Sequence, residues 1–452
     1  MKAFTQTEFG GPAIAALVVV LHLYLPIDAL CQSLNSIASP ESPLAEYSFG
    51  TTYDYISQTF YTAILDTSAD SADAATKLNQ VYLNQPGLFG RVVFRPLKDE
   101  RIRMEGYAER SRDYIRGRFN SYVRIGGRGD QFSGNLSLET RQRTGGVALI
   151  GDEYILGRGR IKFRHALTKN IKPFIGIHGE FNKLDDTGST VFSTGYQKYG
   201  AQGGIEFDIS GFNRLAIQGA LEKRLVPDDL SLEYQLARFE IEYSGFSGGA
   251  FYTLEVSADR RDFNPLGDDS DQSWFRFGAW GQFGLSDKLA LEPRISIEKI
   301  DYRLDTSSFN LDQTLSNLEL RLVRRWGFTS LGLGPKFQKL NQSKLEGQVT
   351  DALLSEDLSE SYAEFAGVAS FEYFKLRRII LTIENQFGLR DVEIVNDFQS
   401  DYWFDRISIF SSLEITAGLK LDIITSFEWE WHDRAADDNA FYLLNSSLTY
   451  GF

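Results

Sequence analysis

The sequence predicts an all-β protein, a single antiparallel up-and-down β-barrel of about 18 strands with a range of 16–20, counted by pairing strands back from the C-terminus. Three observations carry this. Stretch after stretch alternates apolar and polar residues with a period of two. The last stretch, Phe441–Phe452 (FYLLNSSLTYGF), puts Tyr442, Leu444, Leu448, Tyr450 and Phe452 on one face and Asn445, Ser447, Thr449 and Gly451 on the other. Short turns and long polar connections also alternate along the chain. An aromatic-rich closing strand is a hazard as a free edge, and a barrel that pairs it with the first strand removes the edge.

The chain opens with an apolar run, Pro12–Leu25, behind Lys2, followed by Pro26–Gln32. The run is too short for a spanning helix and suits a secretory leader. Ala29 and Cys31 fit the small positions before a cleavage, so 1–31 reads as a signal peptide and Gln32 as the first mature residue. Lipidation of Cys31 is the alternative, against which Asp28 and Leu30 depart from the usual motif. Cys31 is the one cysteine of 452 residues, so the mature chain holds no disulfide and no thiolate nucleophile. The net charge of -14 argues against a nucleic-acid partner as the main business. Aromatics reach 13% and the mean hydropathy is -0.25, which fits many half-apolar strands and excludes a helical membrane protein.

Residues 32–99 read as a lead-in followed by either extra strands or a small plug. Tyr47, Phe49, Thr51 and Tyr53 alternate like a strand, whereas Asp70–Val81 suits a short helix. From residue 100 to 452 the barrel pattern is continuous. Ile115, Gly117, Phe119, Ser121, Val123 and Ile125 alternate with Tyr114, Arg116, Arg118, Asn120, Tyr122 and Arg124. Near the other end, Leu419, Leu421, Ile423, Thr425, Phe427, Trp429 and Trp431 alternate with Lys420, Asp422, Ile424, Ser426, Glu428, Glu430 and His432. The phase changes around Ala237, which suggests a bulge. Short turns are expected near Gly126–Gly129, Ser210–Asn213, Ser286–Lys288, Gly327, Phe374–Lys375 and Ala417–Gly418. Long polar connections are expected at Arg260–Ser273, Asn341–Glu360, Asp391–Asp401 and Asp433–Asn439.

The terminal aromatic with apolar residues two and four places earlier (Phe452, Tyr450, Leu448) resembles the last strand of Gram-negative outer-membrane β-barrels. The leader and the two-sided connection lengths fit that resemblance, and a soluble sandwich or propeller explains only the alternation. The resemblance implies a transmembrane barrel in the outer membrane, contact with membrane lipid, and recognition of Leu448, Tyr450 and Phe452 by barrel-assembly machinery. It names no particular family.

If the apolar face meets lipid, the polar face lines the lumen. Early strands then aim Arg101, Arg103, Arg116, Arg118, Arg124, Arg141, Arg143, Arg158, Arg160, Lys162, Arg164 and Lys172 inward. Neighbouring strands lie about 4.8 Å apart, so these form a basic wall. Glu222, Glu255, Asp259, Glu298, Glu319, Glu384, Glu414, Asp422, Glu428 and Glu430 form an acidic side, interrupted by Arg321, Arg325 and Arg390. Opposed strips would set a transverse field that orients polar solutes. Mutual pairing of these charges is the plainer reading, since enclosed charges must be neutralised.

The expected role is a porin-like channel or export conduit for polar solutes, anionic ones among them, through the Arg-rich lumen wall; a non-conducting structural, adhesive or assembly-associated barrel is the alternative. No cofactor, metal site or enzyme signature is read: GxSxG and HExxH are both absent. His178 beside Glu180 reads as a structural hydrogen-bonding pair. Asp268–Asp271 reads as a solvated acidic loop, and Trp274, Trp280, Trp326, Trp403, Trp429 and Trp431 as interfacial anchors.

Overall fold

A computed structural model describes residues 45–63, 75–96, 101–111, 114–126, 129–143, 153–184, 195–227, 229–263, 271–302, 312–342, 361–375, 378–393, 400–432 and 438–451. The leader expected at 1–31 and Phe452 lie outside the described residues. The wall begins with β1 (Ala45–Ala63), β2 (Ala75–Phe94), β3 (Ile102–Ser111), β4 (Tyr114–Gly126), β5 (Gln131–Arg143), β6 (Tyr154–Arg164) and β7 (Ile171–Leu184). It continues with β8 (Tyr196–Ser210), β9 (Asn213–Leu225), β10 (Tyr234–Ser247), β11 (Ala250–Phe263), β12 (Gln272–Ser286) and β13 (Leu289–Tyr302). It ends with β14 (Gln313–Trp326), β15 (Thr329–Gln342), β16 (Tyr362–Lys375), β17 (Ile379–Val392), β18 (Tyr402–Thr416), β19 (Leu419–His432) and β20 (Asn439–Gly451).

Each strand pairs antiparallel with its neighbours in sequence, and β1 pairs with β20 from Ser48↔Gly451 to Phe60↔Asn439. The sheet is therefore a closed barrel of 20 strands, a correction to the expected 18. The stretch from residue 100 onward does hold 18 of them. The other two are β1 and β2, so the segment left open between plug and extra strands enters the wall. Ala75–Val81, for which a helix was considered, is part of β2. Its polar residues suit a helix locally, but pairing with β1 along its whole length supplies the backbone partners that decide.

Side chains alternate between the two surfaces throughout, and the two surfaces differ in chemistry. The outward set includes Ile125, Ile175 and Leu221, which are 60%, 63% and 67% exposed. A face with that much uncovered apolar area is unstable in water. On a closed barrel it meets lipid, where only a fully paired backbone survives. The seam follows the same rule: Tyr450 lies opposite Phe49 with ring centroids 5.6 Å apart, and Leu448 lies opposite Thr51.

Connections from even to odd strands are mostly short. The β10–β11 turn is two residues, Gly248 and Gly249, at φ 59° and 81° between the paired Ser247 and Ala250. Both central residues sit in the left-handed region, the geometry that matches strand twist in a two-residue hairpin. Connections from odd to even strands are mostly long, as from Gln342 to Tyr362.

Strand β10 runs without a register shift against both neighbours, so the bulge expected near Ala237 is absent. The apparent phase change comes from Tyr234 and Leu236, apolar residues that point inward and are 8% and 5% exposed. Register shifts fall instead at Ile56/Ser57 and beside three short turns, at Asp208/Ser210, Gly284/Ser286 and Glu414/Thr416.

Replacing Gly248 by Val forces a β-branched residue to positive φ, at a cost of roughly 1–2 kcal/mol. The urea midpoint of the refolded barrel should fall accordingly, while Ser247→Thr beside it should leave the midpoint unchanged.

The charged lumen wall as candidate functional site

The register decides which charges share the lumen. Arg116↔Arg141, Arg118↔Glu139 and Arg124↔Ser133 pair β4 with β5 on the inward side, and Tyr114↔Arg143 places Arg143 in the same row. Arg158, Arg160, Lys162 and Arg164 follow on β6, opposite Glu180, His178, Gly176 and Phe174 of β7. Arg103 lies opposite the inward Tyr122, Lys172 opposite the inward Glu206, and Arg101 immediately precedes β3. The acidic set is also inward by register: Glu222, Glu255 and Asp259 on β9 and β11, Glu298 and Glu319 on β13 and β14, and Glu384, Glu414, Asp422, Glu428 and Glu430 on β17 to β19.

The basic side is interlaced with carboxylates. Glu139 receives Arg116 at 2.6 Å and Arg118 at 3.4 Å, and accepts from the Tyr154 hydroxyl at 2.7 Å. Glu180 receives Arg158 at 2.8 Å and Lys198 at 3.5 Å. Glu206, 4% exposed, gathers Lys162, Arg164 and Arg214 at 3.1–3.2 Å. Glu105 holds Arg91 and Arg103, and Lys172 meets Asp208. These carboxylates share the inward parity of their strands, so the sequence contained them. Apart from Arg103–Glu105 within β3, their partners were not readable, because each bond crosses one or two strand boundaries.

The acidic side is interlaced too. Glu298 meets Arg276 at 3.5 Å, Asp259 meets Arg238 at 3.3 Å, Glu384 meets Arg321 at 3.1 Å, and Glu428 meets Arg406. Asp422 takes Lys420 at 2.9 Å, Glu319 takes Arg321, and Glu430 accepts from Asn439 at 3.2 Å. The tightest knot was not singled out from sequence. Glu364, 1% exposed, sits between Arg390 at 2.9 Å and Arg406 at 3.0 Å. It lies beside the buried cluster Ala366, Tyr402 and Phe404. Glu255 lies directly opposite Glu242.

Pairing does not cancel everything. Inward cations still outnumber inward carboxylates on β2 to β9, and carboxylates outnumber cations from β10 round to β1. A recess of about 880 Å³ lies against the basic half, where Arg103, Arg158, Arg160 and Lys198 share the lining with the carboxylates Glu105, Glu180, Glu222 and Glu240. Arg160 donates to the neutral Gln202 amide oxygen at 2.8 Å, with Asn135 and His178 as its cross-strand neighbours. Among the described residues, Arg124 has no carboxylate partner. Arg224 likewise has no carboxylate partner among the described residues and lies over Tyr196 at 4.5 Å, so these three hold the least compensated positive charge on that side.

A further feature escaped sequence reasoning. Tyr114, Tyr154, Tyr196, Tyr234, Tyr362 and Tyr402 each open an even-numbered strand and point inward at the long-connection end. Arg141, Arg224, Arg261 and Arg390 lie over Tyr114, Tyr196, Tyr234 and Tyr362 at 4.5, 4.5, 4.8 and 4.1 Å. This collar of stacked cations and rings stiffens that mouth. The recurring Tyr at strand starts was its signal.

Other expectations are adjusted. His178 contacts Glu222 at 3.1 Å instead of Glu180, because the two strands beyond β7 bring Glu222 across the wall. Trp274 and Trp280 point inward, opposite Asp259 and Thr253, whereas Trp326, Trp403, Trp429 and Trp431 point outward. Asp271 is 4% exposed and accepts from the Phe263 backbone N–H at 2.6 Å, so it caps a strand end rather than lying in solvent. Asp268–Ser270 lie outside the described residues.

Removing the carboxylate between two guanidiniums strands both. Glu364→Ala should lower stability by roughly 3–5 kcal/mol, the usual cost of breaking a buried ion pair from one side. A urea titration followed by tryptophan fluorescence measures it, with Glu372→Ala, a half-buried carboxylate that accepts from Ser330 and holds no guanidinium among the described residues, as the milder comparison.

No protein-family model matches the sequence, and no curated protein matches it. Solved structures do. OpdQ of Pseudomonas aeruginosa is 10% identical with a TM-score of 0.47, covering 90% of this chain and 98% of that one. OccAB4 of Acinetobacter baumannii is 10% identical with a TM-score of 0.46, covering 92% of this chain and 100% of that one. OprD of Pseudomonas aeruginosa is 10% identical with a TM-score of 0.46, covering 90% and 95%. At 10% identity and with TM-scores below 0.5, these likenesses say nothing of this chain's role.

Proposed function

We propose that the protein is an outer-membrane channel for polar solutes, with anionic solutes favoured along the basic half of its lumen. The observation that carries this reading is Arg160 at the recess, which donates to the Gln202 amide oxygen at 2.8 Å and has no carboxylate partner among the described residues, within a half-circumference of excess positive charge. An enclosed polar passage concentrates ions of the opposite sign, because its low-dielectric wall focuses the field. Glu206 and Glu139 hold their cations against the wall, which keeps long side chains from filling the passage. The same arrangement suits an export conduit. The protein acts without a cofactor and carries out no covalent chemistry in this reading.

A non-conducting barrel is the second reading. The density of cross-strand ion pairs favours it, since a wall built for rigidity alone would need the same bonds. The C-terminal residues Leu448, Tyr450 and Phe452 are in either reading the segment offered to barrel-assembly machinery.

Planar-bilayer recording of the refolded full chain tests the proposal. Wild type should open and prefer anions. The double variant Arg124→Gln/Arg160→Gln should lower the anion-to-cation permeability ratio by roughly threefold, as loss of two of the three least compensated charges requires. Arg324→Gln, on the outward face, should leave the ratio alone. A barrel that inserts but never conducts would favour the second reading.

A further inference from the structure

The outward face carries a pattern that lumen function does not use. Near the long-connection end, six odd-numbered strands each present one cation outward: Arg110, Lys183, Lys223, Arg260, Lys299 and Lys339. They share the parity of the lipid-facing residues, as Lys223 does with Leu221 and Lys299 with Ile297. Arg260 holds Asp262 at 2.7 Å and Lys299 holds Asp301 at 2.8 Å. The other four have no carboxylate partner among the described residues, so the belt is net basic. At the short-turn end the outward strand cations among the described residues are Arg324 and Lys375. The belt is thus one-sided.

Below the middle of this belt the wall is hollow. Cross-paired outward residues run Ala201, Leu221, Ala237, Arg260 in one row and Gly203, Gly219, Phe239, Ala258 in the next. The small side chains leave a trough of about 720 Å³ between Leu221, Phe239 and Phe275, reaching Arg260, Ser273 and Asp301 at its upper end. A trough that is apolar along its floor and charged at the membrane boundary has the layout of a lipid.

We infer that this face binds a membrane lipid with a phosphate headgroup, the phosphate at Arg260, between Lys223 and Lys299, and an acyl chain along the trough. Charge complementarity selects the occupant. Basic side chains at the membrane boundary attract anionic headgroups, Lys by extending its long stem and Arg by two parallel donors. The floor suits an acyl chain because Ala201, Leu221, Ala237, Phe239 and Phe275 give it mainly apolar contact. The inference needs the outward face to lie in a membrane and is independent of conduction.

Native mass spectrometry of the refolded full chain in detergent tests it, with dipalmitoyl phosphatidate as the probe. Diacylglycerol of the same chains lacks the phosphate, and inorganic phosphate lacks the chains. Wild type should retain phosphatidate and neither control. Lys223→Gln/Arg260→Gln/Lys299→Gln should cut the bound fraction at least about fivefold, the loss expected when several headgroup charges go together. Arg324→Gln/Lys375→Gln should not change it. A Cβ at Gly219 meets nothing closer than the Arg238 carbonyl at 3.6 Å, so Gly219→Leu fills the trough without displacing backbone. It should also reduce retention. Equal retention by the triple variant, or of diacylglycerol by wild type, overturns the proposal.

Discussion

Backbone pairing between β1 and β20 is the constraint on which the rest depends. Inside a bilayer no water satisfies an unpaired N–H or C=O, so a sheet that crosses it must close. Residues 48–60 meet residues 439–451 over their full length, joining the two ends of the chain. Every other pairing is between neighbours in sequence and forms locally. The seam alone must wait for the last strand, and it turns a ribbon with two exposed edges into a wall with none.

Closure also determines the electrostatics. Inward side chains on a concave surface converge, so carboxylates reach cations two strands away. Glu206 on β8 takes Lys162 and Arg164 from β6 as well as Arg214 from β9. Glu364 on β16 takes Arg406 from β18. Most of the charge is neutralised in this way, and the residue left over is local, around Arg124, Arg160 and Arg224. The convex surface behaves oppositely: its side chains diverge, and its cations at the long-connection end pair, among the described residues, only within a strand, as Arg260 with Asp262 and Lys299 with Asp301.

Strand identity was legible wherever one face is apolar and the other polar, as along β4, β19 and β20. It failed where both faces are mixed. In β2, Thr76–Gln80 offers no apolar stripe, and only pairing with β1 makes it a strand. In β10, Tyr234 and Leu236 put apolar groups inside, which a two-letter pattern reads as a slip. For the lumen, parity gave the inward face of Arg158 and Glu222 but not their partners. Partnership depends on register between strands, which the sequence of one strand does not contain. His178 shows this directly, since Glu180 is near in sequence and Glu222 is near in space.

Cysteine cross-linking of the seam tests closure most directly. Thr52 and Ser447 face each other across β1 and β20, and the chain's one native cysteine, Cys31, can be replaced. In membranes carrying the Thr52→Cys/Ser447→Cys variant, mild oxidation should form an intramolecular disulfide that shifts the denatured chain on a gel. A shifted pair Thr52→Cys/Asn445→Cys should link more weakly. Failure of the facing pair to link in the inserted protein, or linkage only between separate chains, would contradict a closed 20-stranded wall.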